Sequence, residues 1–282
     1  MDAAEPISDQ IDIAAIAERI LALIAGNRLV LPGIPEVAHR IRQAAADLDG
    51  SAARIAAIAS GDPALAAHLI KVSNSVNMRR EQEIRSVLAA VMRLGFRLTA
   101  MTATSFSILQ MMGAAGGRQP RVRALYQHSV AVGEHCFALA EQHPPLVPED
   151  ALLLGLVHDI GTLPILQYAR QQPALQAPRV LDEVIRRLHA PVGAALLRAW
   201  HFPAALVEAV EAHEDWQRDH DGAGPDYTDL LIAANFHVYR GTSHPLAAVP
   251  EEAVPALAKV APAATREAMS RARQLCGIGP LG

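Results

Sequence analysis

The sequence predicts an all-α protein, and three observations lead there. Apolar residues recur at helical spacing through most of the 282 residues, and no stretch alternates with period two in β-branched residues. Hydrophobic residues make up 51% of the chain but aromatics only 4%, so the core must be aliphatic and rich in alanine, the strongest helix former. Capping serines or aspartates, or prolines suited to a first helical turn, recur where helices would begin.

In the first segment, Ile13, Ile16, Ile20, Leu23 and Ile24 share one face, with Ser8 as a cap and Gly26-Asn27 as a stop. Pro35, in Leu31-Pro-Gly-Ile-Pro35, suits the first turn of a helix that turns Val37, Ile41 and Ala45 inward. Ser51 caps a short helix bearing Ile55 and Ile58. Asp62-Pro63 starts another bearing Leu65, Leu69 and Val72, which ends in the polar run Lys71 to Asn77. Ser86 caps a helix with Leu88, Val91 and Met92, and Gly95 suits the residue after its end. Phe96 to Met112 reads as a further helix, and Gly113 to Pro120 as a loop dividing two lobes. Beyond it, helices are expected at about 121–141, 149–160, 178–188, 191–200, 203–213, 228–240 and 264–276, with prolines 255 and 262 breaking up the C-terminal region.

The resulting organisation is an N-terminal helix (1–27), a helical lobe (28–113), a second helical lobe (120–240) and a C-terminal helical extension (241–282). A formal charge of −4 argues against a nucleic-acid binder, which would carry a basic excess. Cys136 and Cys276 form no CxxC pair and suit a reducing compartment. The N-terminus lacks the basic start of a signal peptide, and no apolar run approaches the ~20 residues that span a bilayer. A cytoplasmic protein without a membrane partner is expected.

Chemistry concentrates at His158-Asp159, in Gly155-Leu-Val-His-Asp-Ile-Gly161. An imidazole and a carboxylate at a helix end can reach one ion together. His128, His158, His189 and His213 follow one another at intervals that fit one histidine per helix or helix pair, and side chains converging from separate helices are how helical bundles build metal sites. Such donors suit Zn, Mn, Fe or Ni without choosing among them. His39, His68, His143, His220 and His244 read as solvated.

The doublet segment, with His128 upstream, resembles the HD superfamily of metal-dependent phosphohydrolases. Leu31-Pro-Gly-Ile-Pro-Glu-Val37, Gly61-Asp-Pro-Ala-Leu-Ala66, Lys71-Val-Ser-Asn-Ser75 and Val91-Met-Arg-Leu-Gly95, followed by Leu188-His-Ala-Pro-Val-Gly193 and Trp200-His-Phe-Pro203, narrow the resemblance to the HDOD domain over about residues 28–240. The resemblance implies an all-helical, two-lobed bacterial signalling module, a non-catalytic relative of the HD and HD-GYP hydrolases. HD enzymes hold their ion with a first His, the doublet and a later Asp. Here His128, His158 and Asp159 match, but Asn235 stands at the later Asp position, and Asp229 lies too far along its helix to replace it. Relative to the HD-GYP enzymes, Thr162 occupies a lysine position, and Ala212-His213-Glu214 replaces a His-His-Glu triplet.

The expected function is therefore regulatory, through signalling partners or a bound nucleotide. The alternative is a metal-dependent phosphohydrolase or phosphodiesterase acting on a nucleotide or cyclic dinucleotide. The metal candidates are His128, His158, Asp159, His189 and His213. The candidate partner surface is Ser73, Asn74, Ser75, Asn77, Arg79 and Arg80, beside an arginine cluster that also includes Arg85, Arg93 and Arg97.

Overall fold

A computed structural model describes residues 12–26, 36–47, 49–75, 83–116, 119–220, 222, 224–260 and 265–276. Among the described residues there are thirteen α-helices, three short 3-10 turns and no strand. Ser8, Asn27, the Leu31–Pro35 motif, Asn77, Arg79 and Arg80 lie outside them.

The first helices are α1 (Ile13–Ala25), α2 (Glu36–Ala46), α3 (Ala52–Ser60), α4 (Pro63–Ser73) and α5 (Val87–Gly116). Asp12 caps α1 by accepting from the Ala15 amide at 2.9 Å. Ser51, Asp62 and Ser86 cap α3, α4 and α5 as their positions predict. Gly95 interrupts α5 at φ 78° and ψ 167°, a conformation open essentially to glycine alone.

Two inward faces differ from expectation. On α2 the buried residues are Ala38, Ile41 and Ala44, with Val37 and Ala45 at the margin. On α5, Ala90, Val91 and Leu94 are buried while Leu88 and Met92 are exposed, because α2, α3 and α4 all pack on the opposite side. The first helix does not join its neighbours in sequence. It lies on the second lobe, where Ile20 packs with Ile165, Val184, Leu188 and Val192.

The second lobe comprises α6 (Pro120–Ala140), α7 (Pro148–Val157), α8 (Thr162–Ala169), α9 (Pro178–Ala199), α10 (Ala204–Ala212) and α11 (Tyr227–Tyr239). It is followed by α12 (Pro255–Lys259) and α13 (Arg266–Leu275). The loop expected from Gly113 is shorter: α5 continues to Gly116, because a glycine costs a helix only about 1 kcal/mol and no proline intervenes before Pro120. The two helices expected at 178–188 and 191–200 are one, α9, running through Pro191. Pro191 and Arg187 are both exposed, so the carbonyl that loses its donor lies on the wet side. The helix α8 was not anticipated.

One hydrophobic cluster runs from Ala38 on α2 to Cys276 after α13, so the two lobes share a continuous core. The C-terminal helix belongs to it: Ala272 and Leu275 are buried, and Arg273 forks onto the buried carboxylate of Glu134 on α6 at 2.7 and 2.9 Å. Two stretches, Val87–Gly113 and Pro148–Ala169, do reach membrane-crossing length and apolarity, contrary to the reading of the sequence. More than half of each is buried inside the protein, as core helices are.

Candidate metal centre

The doublet is held by two glycine crossings. A β-carbon on Gly155 would lie 2.5 Å from the Gly133 α-carbon, and one on Gly161 would lie 2.0 Å from the His189 carbonyl oxygen. Only glycine permits backbones this close. The first crossing seats α7 against α6, which carries His128. The second seats the turn after the doublet against α9, which carries His189. His158 ends α7, Asp159 lies in that turn, and His213 ends α10.

All five predicted donors meet. Asp159 Oδ2 lies 3.3 Å from His158 Nε2 and 3.6 Å from His128 Nε2. Its Oδ1 lies 3.4 Å from His189 Nε2 and 3.6 Å from His213 Nε2. Within each histidine pair the Nε2 atoms face one another, at 3.1 Å (His128, His158) and 3.2 Å (His189, His213).

The outer ring nitrogens decide what the inner ones are. Nδ1 of His158, His189 and His213 donates to the carbonyls of Gly155, Ile185 and Val210 at 2.8, 2.8 and 2.7 Å. A carbonyl only accepts, so in the neutral ring the proton sits on Nδ1 and the Nε2 lone pair points inward. Lone pairs facing at such distances around a carboxylate are balanced by a cation or a proton held among them. The edge of a tetrahedron around an ion with ~2.0–2.1 Å bonds is about 3.3 Å, close to these separations. The donor set therefore fits a divalent metal. It forms two triads, His128-His158-Asp159 and Asp159-His189-His213, joined by the shared carboxylate.

The titration behaviour follows from the same contacts. Burial pushes the Asp159 carboxyl up, but His158, His189 and His213 hold it well below the usual carboxylate range. Burial lowers His189, and Asp159 and Glu214 more than reverse this, raising it to about 9. Burial and the neighbouring His158 lower His128 to about 4.

Two residues at the centre were not anticipated. Glu214 Oε1 lies 3.4 Å from His189 Nε2 and 3.5 Å from His213 Nε2. Tyr239 stacks on His128 at 4.6 Å and on His244 at 3.6 Å. Glu214 follows a predicted ligand, and Tyr239 lies one turn beyond Asn235, so both carried a positional signal. Asn235 itself is buried, and its Oδ1 has no hydrogen-bond partner among the described residues. Asp229 serves elsewhere: it accepts from His220 at 2.7 Å and Arg218 at 3.2 Å and forms a capping box with Asp226.

Three histidines read as solvated are therefore engaged. His220 is tied to Asp229, His68 is buried against Phe106 at 4.5 Å, and His244 lies on Tyr239. The flanking residues were polar, but α4 turns His68 inward and α11 carries the partners of the other two.

A pocket of about 370 Å³ opens above the centre. Asp159, His189 and Glu214 line it beside Trp216, Tyr239 and His244. Thr162, in place of a lysine, is also in the lining, where Arg186 is the one cationic side chain other than histidine among the described residues. Arg186 is forked onto Glu183 at 2.7 and 2.9 Å.

The candidate partner surface is corrected in part. Ser73 is fully buried, with its hydroxyl donated to the Ile70 carbonyl at 2.8 Å. The Asn74 amide clasps Ile84, donating to its carbonyl at 2.7 Å and accepting from its amide at 2.9 Å. A helix-ending run of small polar residues spends them on closing its own turn. Ser75 is half-buried, Arg85 pairs with Glu83, and Arg97 pairs with Asp150.

The HDOD domain model matches residues 31–216. A candidate metal-dependent phosphohydrolase from Shewanella amazonensis SB2B has a similar crystal structure, with a TM-score of 0.72 and 24% identity over 94% of this chain and 98% of that one. An HDOD domain protein of unknown function from Geobacter sulfurreducens superposes with a TM-score of 0.59 at 19% identity, covering 94% and 90%. A candidate signal transduction protein from Marinobacter aquaeolei VT8 gives 0.57 at 18% identity, covering 95% and 64%. These likenesses show the fold. An uncharacterized protein of Treponema pallidum is 24% identical over 241 residues, 80% of this chain but 45% of its own length, so the chain spans less than half of that relative. With its motifs in order, its all-helical fold and a domain match over most of its length, the chain belongs to the HDOD domain family.

Proposed function

We propose that this chain is a regulatory signal-transduction module whose second lobe binds divalent metal and that acts through protein partners or a bound nucleotide, without hydrolysis. The observation that carries this reading is a contrast within one site. Both oxygens of Asp159 lie within 3.6 Å of four Nε2 atoms, a donor set that could hold metal. Yet the pocket above offers a phosphate little beyond Arg186, which is already engaged by Glu183. Hydrolysis of a phosphoester requires compensation of the charge that develops on the phosphoryl oxygens. A metal centre without that support suits a structural staple or a ligand sensor.

A second reading, metal-dependent phosphohydrolysis, is favoured by the way the pocket opens directly over Asp159 and His189. A divalent ion bound there would supply Lewis acidity and a more acidic water. In that case Glu214 is the residue placed to accept a proton, and the Trp216–Tyr239 wall to exclude solvent.

Metal analysis of the purified protein, with turnover assays on bis(p-nitrophenyl) phosphate, ATP and cyclic dinucleotides in added Mn, Fe or Ni, separates the two. The expected result is bound metal without turnover. Metal-dependent turnover abolished by Asp159→Ala overturns the regulatory reading.

A further inference from the structure

A second cavity, of about 350 Å³, lies between the lobes and away from the metal centre. Arg42 of α2 and Arg97 and Met101 of α5 form one wall; Leu153 of α7 and Phe202 and Leu206, at the start of α10, form the other. Its lining is mostly apolar, and its size falls at the small end of the ~300–1,000 Å³ usual for small-molecule sites.

The charges in it are few and definite. Arg42 donates to the carbonyls of Trp200 at 3.3 Å and His201 at 2.6 Å, and its guanidinium lies 4.3 Å from the centre of the Phe202 ring. Its Nη1 is buried and has no hydrogen-bond partner among the described residues. Both of its bonds run through Nη2, and Arg42 enters the cleft as a positive charge. Arg97 pairs with Asp150, which also lines the cavity. The helix α10 begins at the rim with Pro203 as its N-cap, no side-chain cap and no acidic residue in its first turn. Two guanidiniums against one carboxylate leave a formal excess of one positive charge.

We propose that this interlobe cleft is a ligand site for a small amphipathic monoanion, a carboxylate on an aromatic or branched aliphatic body. The apolar walls take the body. The carboxylate lies among Arg42, Arg97 and the start of α10. A single negative charge balances the lining, whereas a phosphate dianion would leave an excess beside Asp150. Because one wall belongs to each lobe, occupancy ties the lobes together. The cleft also shares α9 with the metal centre: that helix carries His189, and the Trp200 carbonyl at its end accepts from Arg42.

The test is isothermal titration of the full chain with 2-naphthoate and with its uncharged counterpart 2-naphthalenemethanol, with and without EDTA. Saturable binding of the acid is expected, about tenfold or more tighter than the alcohol and unchanged by EDTA. Arg42→Gln is expected to weaken it by a similar factor. Ala46→Phe, which plugs the cleft from an exposed position at the end of α2, is expected to abolish binding while leaving the melting temperature in place. No saturable binding at millimolar acid, equal affinity for the alcohol, loss of binding in EDTA, or full binding by a folded Ala46→Phe protein would each overturn the assignment.

Discussion

Gly161 passes the His189 carbonyl so closely that a β-carbon would lie 2.0 Å from its oxygen. This one approach fixes where the turn after the doublet meets α9, and so where Asp159 meets two of its histidines.

Gly161→Ala should therefore damage both the fold and the centre. The obstructing atoms are backbone, at His189 and Gly193, and cannot rotate aside. A loss of about 3 kcal/mol or more is expected, at the upper end for overpacking, together with loss of bound metal. Gly113→Ala is the control: nothing lies within 4 Å of its added carbon, and α5 should gain about 0.5–1 kcal/mol. Urea denaturation of both variants checks the contrast.

The shared carboxylate predicts unequal effects among the ligands. Asp159→Ala removes the group common to both triads and should abolish metal binding. His128→Ala and His213→Ala each cut one triad and should lower metal content without eliminating it. Metal bound there would also stabilise the folded state by mass action, by about 2.7 kcal/mol at a hundredfold excess over Kd. A metal-induced rise in melting temperature, present in the parent protein and absent in Asp159→Ala, is the measurement.

His68 predicts an acid limb that is independent of metal. Burial, aided by Lys71, lowers its pKa to about 4, against a modest opposing contribution from the Leu275 backbone. The unfolded chain takes up this proton near pH 6.5 and the folded protein only near 4, so its contribution is present above 6.5 and is lost as pH falls toward 4. His68→Leu removes a titrating group from a buried site beside Phe106. It should reduce the loss of stability between pH 6.5 and 4, with the limb from His128 remaining, as followed by melting temperature in EDTA.

The fork between Arg273 and Glu134 predicts that the C-terminal helix is integral to the second lobe. Arg273→Ala leaves the Glu134 carboxylate buried without its partner and should cost on the order of 3 kcal/mol. Replacing both, as Glu134→Leu with Arg273→Met, should cost much less. Equal losses in the single and double variants would contradict the pairing.

How far the site was legible depends on the residue. His158 and Asp159 are adjacent and flanked by glycines, so the motif marks itself. His128, His189 and His213 were found from helix-length intervals and the family resemblance, and all three reach Asp159. Glu214 was visible only as part of a triplet with a changed first member, although its carboxylate does face two of the histidines. Ser73 and Asn74 show the converse. Their composition reads as a contact loop, but the turn that ends α4 consumes the hydroxyl and the amide locally, and an adjacent-residue pattern cannot reveal that. Pro191 read as a helix boundary because proline removes a backbone donor, and whether a helix tolerates that depends on which side faces water.

The sequence by itself determined the helical content, the caps Ser51, Asp62 and Ser86, the family and the five side chains that converge at Asp159, because these show in short motifs and in spacings along the chain. Only the tertiary structure decided that Asp159 divides its oxygens between two histidine pairs, that α1 lies on the second lobe, and that Arg42 spans the lobes to Trp200 and His201. Each of these depends on how helices distant in sequence cross. Those crossings are set by close backbone contacts such as Gly155 on Gly133 and by burial of apolar faces, which local periodicity does not encode.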